Sequence, residues 1–315
     1  MSGIKALAID LGGSHAACAV VCDGEILASQ TIPTDGAQPL ANLLPRLSNS
    51  LRALLLSTNI DCSDCSALVL GFCGIVSVHQ HRVLAISGKF QDAPGLDLQG
   101  WCKREFGLSF LIENDARLAL MGEHEYGAAQ GAQDAVMVTL GSGIGGAALM
   151  GGHLLQSRHG LAGTIGGHLP VVLGGRLCSC GNLGCAEAEA STAVLTEIYL
   201  RHSDGTIGAL SGKKAFGFLE LFEAADAGDK AATAAMERCL DVWSALSVAL
   251  IHAYDPEVIV FGGSVLNRAT DILPHLQKYV SAHAWTPGRL VELRRAALGS
   301  RAALLGAIPL IESNR

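Results

Sequence analysis

No basic run, and no basic patch interleaved with aromatic residues, occurs in this sequence of 315 residues. The formal net charge is −7, and only 16% of the residues are charged. Because a phosphate backbone is bound by clustered positive charge, this balance argues against a general nucleic-acid-binding protein. Half of the residues are hydrophobic, so the chain can bury a large core, and its length favours two domains.

Signals for export and for membrane insertion are missing as well. The opening sequence MSGIKALAIDLGG lacks the charged start, apolar core and cleavage site of a secretory signal. No stretch reaches the roughly 18 uninterrupted apolar residues of a membrane helix. We therefore expect a cytoplasmic protein without membrane contact, and in that reducing compartment clustered cysteines are more often metal ligands or catalytic groups than disulfides.

Two common nucleotide-binding motifs are also absent. The P-loop string GxxxxGK[ST] does not occur, and the glycine turns after Leu11 and Leu140 precede apolar strands instead of the helix that a dinucleotide-binding turn needs. These turns form a weak internal repeat, LAIDLGGSHAACAVV and VMVTLGSGIGGAALM, which predicts two similarly built lobes. The turns could hold a phosphate chain from opposite sides, with Asp10 suited to Mg²⁺ or its waters. Ordinary tight turns are the alternative.

The segment FLIENDARLAL predicts a strand that ends at Ile112 and a helix that begins near Ala116. Asn114 and Asp115 lie at the junction, where either side chain could cap the helix. Asp115 could instead accept a proton from a substrate hydroxyl that attacks a phosphoryl group. The local sequence leaves both roles open.

Three of the ten cysteines lie close together in RLCSCGNLGC, and His168 stands ten residues before the first of them, Cys178. A disulfide knot, a redox centre, a metal site and a chance grouping are the alternatives that spacing alone allows.

Together these motifs resemble the ROK family (repressor, ORF, kinase) of sugar kinases and their regulator relatives. The similar segments span nearly the whole chain and are AIDLGGSH, GFCG, ENDA, TLGSGIGG, GGHLPV with CSCGNLGCAE, and DPEVIVFGGS. The resemblance implies an α/β protein with the two-lobed actin-like/hexokinase (ribonuclease H-like) ATPase fold and a zinc-binding loop. We expect lobes at residues 1–116 and 117–300, with a helix at 301–315 that packs back on the first lobe.

The resemblance also implies roles for individual residues, with Asp115 as the general base. The expected sugar-site residues are Gly74, Asn114, Asp115, His168 and Glu187. The residues expected to bind Mg²⁺ and ATP are Asp10, Gly12, Gly13, Ser14, Gly141, Ser142, Gly143, Gly262 and Gly263. The expected ligands of a structural Zn²⁺ are His168, Cys178, Cys180 and Cys185, a complete tetrahedral set without an open position for water.

The sequence departs from the family pattern at three places, one of which is Cys73 in GFCG, where Pro is common. Most members carry a sugar-reading Glu before the zinc-binding His, whereas Thr164 and Ile165 stand four and three residues before His168 here. The identity of the sugar is therefore open. Ser14 and His15 stand where many members have Thr and Lys, which removes one fixed positive charge.

The expected function is ATP-dependent, glucokinase-like phosphorylation of a hexose or N-acetylhexosamine at its 6-hydroxyl, by a homodimer with no nucleic-acid partner. One alternative, prompted by the missing Glu, is a degenerate sugar-binding protein without kinase activity. The other is a sugar-responsive transcriptional regulator. Such regulators carry an N-terminal helix-turn-helix, for which the strand ALAID, starting at residue 6, leaves no room.

Overall fold

A computed structural model describes residues 3–86, 88–203 and 208–314 of the chain. The chain divides into two compact units. The first unit consists of Met1–Gly131, Leu154–Thr164 and Ala297–Arg315, and the second consists of Ala132–His153 and Ile165–Ala296. The first unit thus extends beyond residue 116, where the sequence suggested a boundary. None of the described helices combines the length and the apolar character that a membrane span requires.

The first unit is built on a five-stranded sheet. Its elements up to residue 126 are β1 (Lys5–Leu11), β2 (His15–Cys22), β3 (Glu25–Pro33), α1 (Leu44–Thr58), β4 (Cys65–Phe72), β5 (Ile75–Ser77), β6 (Arg82–Ala85), α2 (Leu98–Phe106), β7 (Ser109–Asn114) and α3 (Asp115–Tyr126). The strand order is β3-β2-β1-β4-β7, in which β3, β2 and β1 are antiparallel neighbours and β4 and β7 continue the sheet in parallel.

The central strand β1 divides its side chains between the two faces of this sheet. Leu7, Ile9 and Leu11 belong to the buried cluster that also contains residues of α1 and α2. The alternate residues Ala6 and Ala8 are also buried, and period-two alternation places them on the opposite face. Asp10 follows the same alternation, so its carboxyl lies on the face of the small side chains.

Strand β7 is longer than the sequence predicted. It continues past Ile112 because Glu113 and Asn114 pair in register with Gly71 and Phe72 of β4. The polar character of these two residues suggested a loop, but the neighbouring strand provides their backbone partners. Helix α3 therefore begins directly at the end of a paired strand, which fixes the direction of its first turn.

The second unit repeats the architecture of the first. Its elements are β8 (Ala135–Leu140), β9 (Ile144–Met150), β10 (His153–Leu154), α4 (Ala186–Ala190), α5 (Leu195–His202), α6 (Phe218–Asp226), α7 (Lys230–Tyr254), β11 (Val258–Gly262), α8 (Ala269–His283) and β12 (Glu292–Arg295). The strand order β10-β9-β8-β11-β12 again joins an antiparallel hairpin, β8–β9, to two parallel strands. The internal repeat in the sequence is thereby confirmed at the level of topology.

The C-terminal residues return to the first unit as α9 (Ala302–Leu305) and α10 (Ala307–Ser313). Helix α9 packs against α3, and close approach is possible because glycine lies on both sides of the contact, Gly122 within α3 and Gly306 directly after α9. A Cβ on Gly122 would overlap the carbonyl oxygen of Ala302, and a Cβ on Gly306 would overlap that of Leu118.

Glu123 of α3 fastens the start of this returning segment. Its side chain is fully buried. Its Oε2 accepts hydrogen bonds from the N–H groups of Ala128 at 2.7 Å and Ala297 at 3.0 Å, and its Oε1 accepts one from Leu298 at 2.8 Å. Three backbone donors are thus satisfied by one carboxylate, which links residues 174 positions apart in the chain.

We predict that Glu123→Gln lowers the free energy of unfolding by about 2–4 kcal/mol, because an amide N–H₂ would face a backbone N–H donor where a carboxylate oxygen now accepts. Urea unfolding followed by circular dichroism measures the change. Glu125→Gln, at an exposed position of the same helix, is the matched control. Equal stabilities of the two variants would contradict this role of Glu123.

Candidate active site

Two acidic side chains lie close together at one end of the first sheet. Asp10 of β1 pairs with Gly71 of β4, and Gly71 pairs with Glu113 of β7, just before Asp115. The Oδ1 of Asp10 lies 3.7 Å from the position that a Cβ on Gly71 would occupy, so the carboxyl extends across this glycine. At 3.7 Å this is an ordinary van der Waals contact, and the Cδ1 of Leu118 lies closer to that position, at 3.0 Å.

Both carboxyl groups have altered proton affinity. Burial raises the pKa of Asp10 to about 7, and the charge of Asp115 adds to the rise. Burial also raises the pKa of Asp115 to about 6, although hydrogen bonds and the charge of Lys89 oppose the rise. A carboxylate that gains and loses its proton near neutral pH has the property required of a general base.

Asn114 caps helix α3. Its Oδ1 accepts hydrogen bonds from the N–H groups of Ala116 at 3.0 Å and Arg117 at 3.2 Å, and its Nδ2 donates to the carbonyl oxygen of Gly74 at 3.2 Å. The Oδ1 of Asp115 accepts from the N–H of Ala116 at 2.8 Å. Of the two residues that could cap the helix, Asn114 is therefore the cap, and its amide also ties Gly74 to the same corner.

A buried ion pair that sequence reasoning missed lies beside this corner. Arg117 Nε lies 3.6 Å from the Oε1 of fully buried Glu113, and that oxygen also accepts the N–H of Asn114 at 2.8 Å. The Arg117 Nη2 donates to the carbonyl oxygen of Leu155 at 2.8 Å. Burial raises the pKa of Glu113, whereas the charge of Arg117 lowers it. The four-residue spacing of Glu113 and Arg117 was the available signal.

The first glycine loop, Gly12–Ser14, leaves two backbone donors available. The Gly12 N–H donates to the carbonyl oxygen of His15 at 2.9 Å and closes the turn. Thr34 donates from its Oγ1 to Gly12 O and from its N–H to Ser14 O, both at 3.0 Å. Within the described residues, no acceptor is found for the N–H groups of Gly13 and Ser14. Adjacent unpaired N–H groups in a tight turn are suited to an anion.

The second glycine loop, Gly141–Gly143, repeats this arrangement. The Gly141 N–H donates to the carbonyl oxygen of Gly143 at 3.0 Å. The next donor along the chain, the Ile144 N–H, donates to Oε2 of Glu187 at 3.0 Å. Ser142 and Gly143 retain N–H groups for which the described part of the chain offers no acceptor. Glu187, expected at the sugar site, therefore also supports this loop.

A cavity of about 660 Å³ in the second unit adjoins the second loop. Its lining residues are Ser142, Thr192, Ala193, Thr196, Glu197, Leu200, Lys214, Ala215, Phe216 and Gly217. Apart from Ser142, sequence reasoning missed them, because this helical region carries no recognisable motif. Gly262 and Gly263 are not in the lining. Gly263 has φ 99°, and a Cβ at this position would overlap the carbonyl oxygen of Leu140. Glycine is therefore needed here for the end of β11 to lie close to the end of β8.

The four predicted metal ligands do come together in the second unit. The ligand atoms of His168, Cys178, Cys180 and Cys185 all lie within 4.8 Å of one another. Cys178 Sγ is 3.4 Å from His168 Nδ1, and Cys180 Sγ is 3.7 Å from Cys185 Sγ. Ligands at roughly 2.0–2.3 Å from a tetrahedral Zn²⁺ would be separated by about these distances, so the donor set and its spacing fit zinc.

Glu189 anchors the cysteine loop to the rest of its unit. Its side chain is buried; Oε1 accepts the N–H of Arg176 at 2.6 Å, and Oε2 accepts a hydrogen bond from Arg238 Nη2 at 2.7 Å. Arg238 belongs to the long helix α7. The loop is therefore fixed at its first residue by a carboxylate from α4 that is itself paired with α7.

No carboxylate occupies the region where the family pattern has its sugar-reading Glu. Thr164 is buried, with its hydroxyl 3.5 Å from the carbonyl oxygens of both Gly160 and Ala162, and the Ile165 side chain is partly exposed. The sequence from residue 154 to residue 168 contains neither Asp nor Glu.

Comparison with known proteins identifies the family. Residues 6–314 match the sequence profile of the ROK family. The chain belongs to this family. A glucokinase from Thermotoga maritima is 29% identical over 99% of this chain and 98% of its own length. An N-acetylmannosamine kinase from Haemophilus influenzae is 27% identical over 96% of this chain and 94% of its own length.

A crystal structure of a ROK glucokinase from Streptomyces griseus, in complex with glucose and AMPPNP, superimposes with a TM-score of 0.80 at 26% identity. It covers 98% of this chain and 99% of that one. The predicted two-lobed α/β sugar-kinase fold is thereby confirmed. Xylose repressors are also among the relatives.

We predict that Asp10→Asn stabilises the Mg²⁺-free protein at high pH. A raised folded-state pKa means that the Asp10 contribution to stability is complete below about pH 4 and is lost as the pH rises through about 7. Asn carries no charge. As the pH rises from 5 to 8, the free energy of unfolding of the variant should therefore increase by about 2 kcal/mol relative to that of wild type, a figure reduced for partial solvent contact.

Urea unfolding at pH 5 and pH 8 measures this difference, with exposed Asp64→Asn as the matched control. A difference between wild type and Asp10→Asn that does not change with pH would contradict the burial of an ionisable carboxyl at this position.

Proposed function

We propose that the protein is an ATP-dependent kinase that phosphorylates a hexose or N-acetylhexosamine at its 6-hydroxyl. One observation carries the proposal. Asp115, a carboxyl group whose pKa lies near neutral pH, is a neighbour of Asp10, and Asp10 leads directly into a loop with unpaired N–H groups. Such a corner provides a proton acceptor beside a place for phosphate. Kinases among the relatives support the same reaction.

In the proposed reaction, Asp115 accepts the proton of the sugar hydroxyl. The hydroxyl oxygen forms a bond to the γ-phosphorus of ATP while the bond to the β–γ bridging oxygen breaks, and ADP leaves with that electron pair. A carboxylate with a pKa of about 6 is ionised at neutral pH and still retains appreciable affinity for a proton. Asn114, fixed by its helix cap and by Gly74, would orient the sugar beside it.

The glycine loops would hold the phosphates of ATP through backbone donors. In the first unit these are the N–H groups of Gly13 and Ser14, with Gly12 closing the turn; in the second they are those of Ser142 and Gly143. The 660 Å³ cavity next to Ser142 has the size needed for a nucleoside. The Asp10 carboxylate has the hard oxygen donors that Mg²⁺ prefers, and the ion would neutralise phosphate charge.

The cysteine cluster would bind a structural Zn²⁺ and hold one wall of the sugar site. His168 directs Nδ1 towards Cys178, which leaves Nε2 for a sugar hydroxyl. Glu187 follows Cys185 by two residues and would contact the sugar from the same wall. Because no carboxylate lies in residues 154–168, discrimination between glucose and N-acetylhexosamines would depend on other groups.

We predict that Asp115→Asn retains its fold and loses about 10²–10⁴-fold in kcat, because the amide cannot accept the proton. A coupled assay for ADP release, run across a panel of hexoses and N-acetylhexosamines, measures turnover and identifies the sugar. In wild type, kcat/KM should fall as the pH drops below about 6, where Asp115 becomes protonated.

Asp64→Asn is the control for this substitution. Near-wild-type kcat in Asp115→Asn would exclude this residue as the base. Turnover of none of the sugars by wild type would favour the alternative of a sugar-binding protein without kinase activity.

For the metal cluster, we predict about one Zn²⁺ per purified chain and its loss in Cys180→Ser, which removes one of the four ligands at an exposed position. Elemental analysis measures the zinc content, and thermal unfolding should show a lower midpoint for the variant. Cys22→Ser, outside the cluster, should keep its zinc. A clearly substoichiometric zinc content in wild type would count against the site.

A further inference from the structure

Lys89 lies at the first glycine loop, and no motif in the sequence marks it. The position that a Cβ on Gly13 would occupy is 2.7 Å from both Cδ and Cε of Lys89 and 3.1 Å from its Nζ. The corresponding position on Gly36 is 3.1 Å from Cγ and 3.2 Å from Cβ of the same lysine. The aliphatic part of Lys89 thus lies across two glycines, and its ammonium group reaches the loop whose Gly13 and Ser14 N–H groups are unpaired.

A backbone network determines this placement. The Phe90 N–H donates to the carbonyl oxygen of Gly36 at 2.7 Å, and the Gly36 N–H donates to that of Gly13 at 2.9 Å. The Phe90 ring is buried, with its centroid 6.5 Å from that of Phe72. Phe90 has φ 40°, a conformation that is unfavourable for an aromatic residue and persists only where the surroundings enforce it. The residue next to Lys89 is therefore fixed by hydrogen bonds and by packing.

The charge of Lys89 acts on the candidate base. Burial raises the pKa of both Asp115 and Cys73, and the positive charge of Lys89 opposes that rise in each case. No carboxylate of the described residues forms an ion pair with Lys89 itself. The loop sequence GGSH, residues 12–15, contains neither Lys nor Arg. Lys89 thus brings to this loop a positive charge that its own sequence does not contain.

We propose that Lys89 binds the phosphoryl group as it is transferred, an assignment that rests on the proposed kinase function. Its ammonium lies at the loop that would hold phosphate and acts on the carboxylate that would accept the hydroxyl proton. From there it would donate hydrogen bonds to the oxygens of the transferred group, while the new bond to the sugar oxygen forms and the bond to ADP breaks. Donors placed where charge develops lower the barrier of such a step.

Lys89→Met tests this role, since methionine keeps much of the aliphatic stem and removes the charge. We expect kcat to fall about 10²–10³-fold, the effect typical for loss of one such donor. Calorimetry should show weaker binding of AMPPNP and unchanged binding of ADP, because only AMPPNP carries a third phosphate. Lys89→Arg, which retains the charge, should recover part of the activity. Lys103→Met, at an exposed position of α2, is the matched control.

Three outcomes would overturn the assignment. The first is a wild-type kcat in Lys89→Met. The second is an equal loss of AMPPNP and ADP affinity, which would indicate a structural role for the side chain. The third is a pH profile of kcat/KM shifted to higher pH with unchanged discrimination between AMPPNP and ADP, which would limit Lys89 to tuning Asp115. If wild type phosphorylates no sugar, the proposed function fails, and the comparison of AMPPNP with ADP still decides the role of Lys89.

Discussion

Burial of two neighbouring carboxyl groups is the constraint on which the first unit depends. Asp10 lies on β1 and Asp115 directly follows β7, and the strand between them, β4, carries Gly71 opposite Asp10. Burial makes both groups better proton acceptors than an exposed carboxylate, and the same burial costs folding free energy once they ionise. The surrounding structure must therefore be stable enough to hold two negative charges that repel each other when no cation lies between them. The hydrogen-bonded parallel strands β1, β4 and β7 and the C-terminal helices α9 and α10 contribute that stability.

The two glycine loops have similar patterns of backbone hydrogen bonds. In each unit an antiparallel hairpin turns through a loop whose first glycine N–H closes the turn on the loop's own backbone. Among the residues that the structure describes, the two following N–H groups then have no acceptor, which is a cost unless water or an anion binds there. The flanking strands differ in sequence, but the strand order of the two sheets is the same. An arrangement that leaves donors unpaired at equivalent places in both repeats is better explained by ligand binding than by the needs of folding.

Much of this could be predicted from the sequence because the relevant signals are local. Apolar periodicity and the glycine turns predicted the hairpins, and the ligand residues of the metal cluster are clustered in the chain apart from His168. Contacts between segments that are far apart in the chain have no local sequence signal. Glu123 satisfies donors that follow it by 174 and 175 positions, and Lys89 reaches Gly13 across more than seventy residues. The extension of β7 was missed for the same reason, since the pairing partner of Glu113 lies on another strand.

The metal cluster and the second glycine loop are connected through the short helix α4. This helix starts directly after the ligand Cys185, and its first turn carries Glu187, which accepts the Ile144 N–H at the end of the loop. Its fourth residue, Glu189, binds the backbone before Cys178 and the guanidinium of Arg238. A helix of five residues is too short to be stable alone, so its position depends on these attachments. Metal binding at Cys185 would therefore fix the start of α4, and through Glu187 it would also fix the loop that we assign to phosphate.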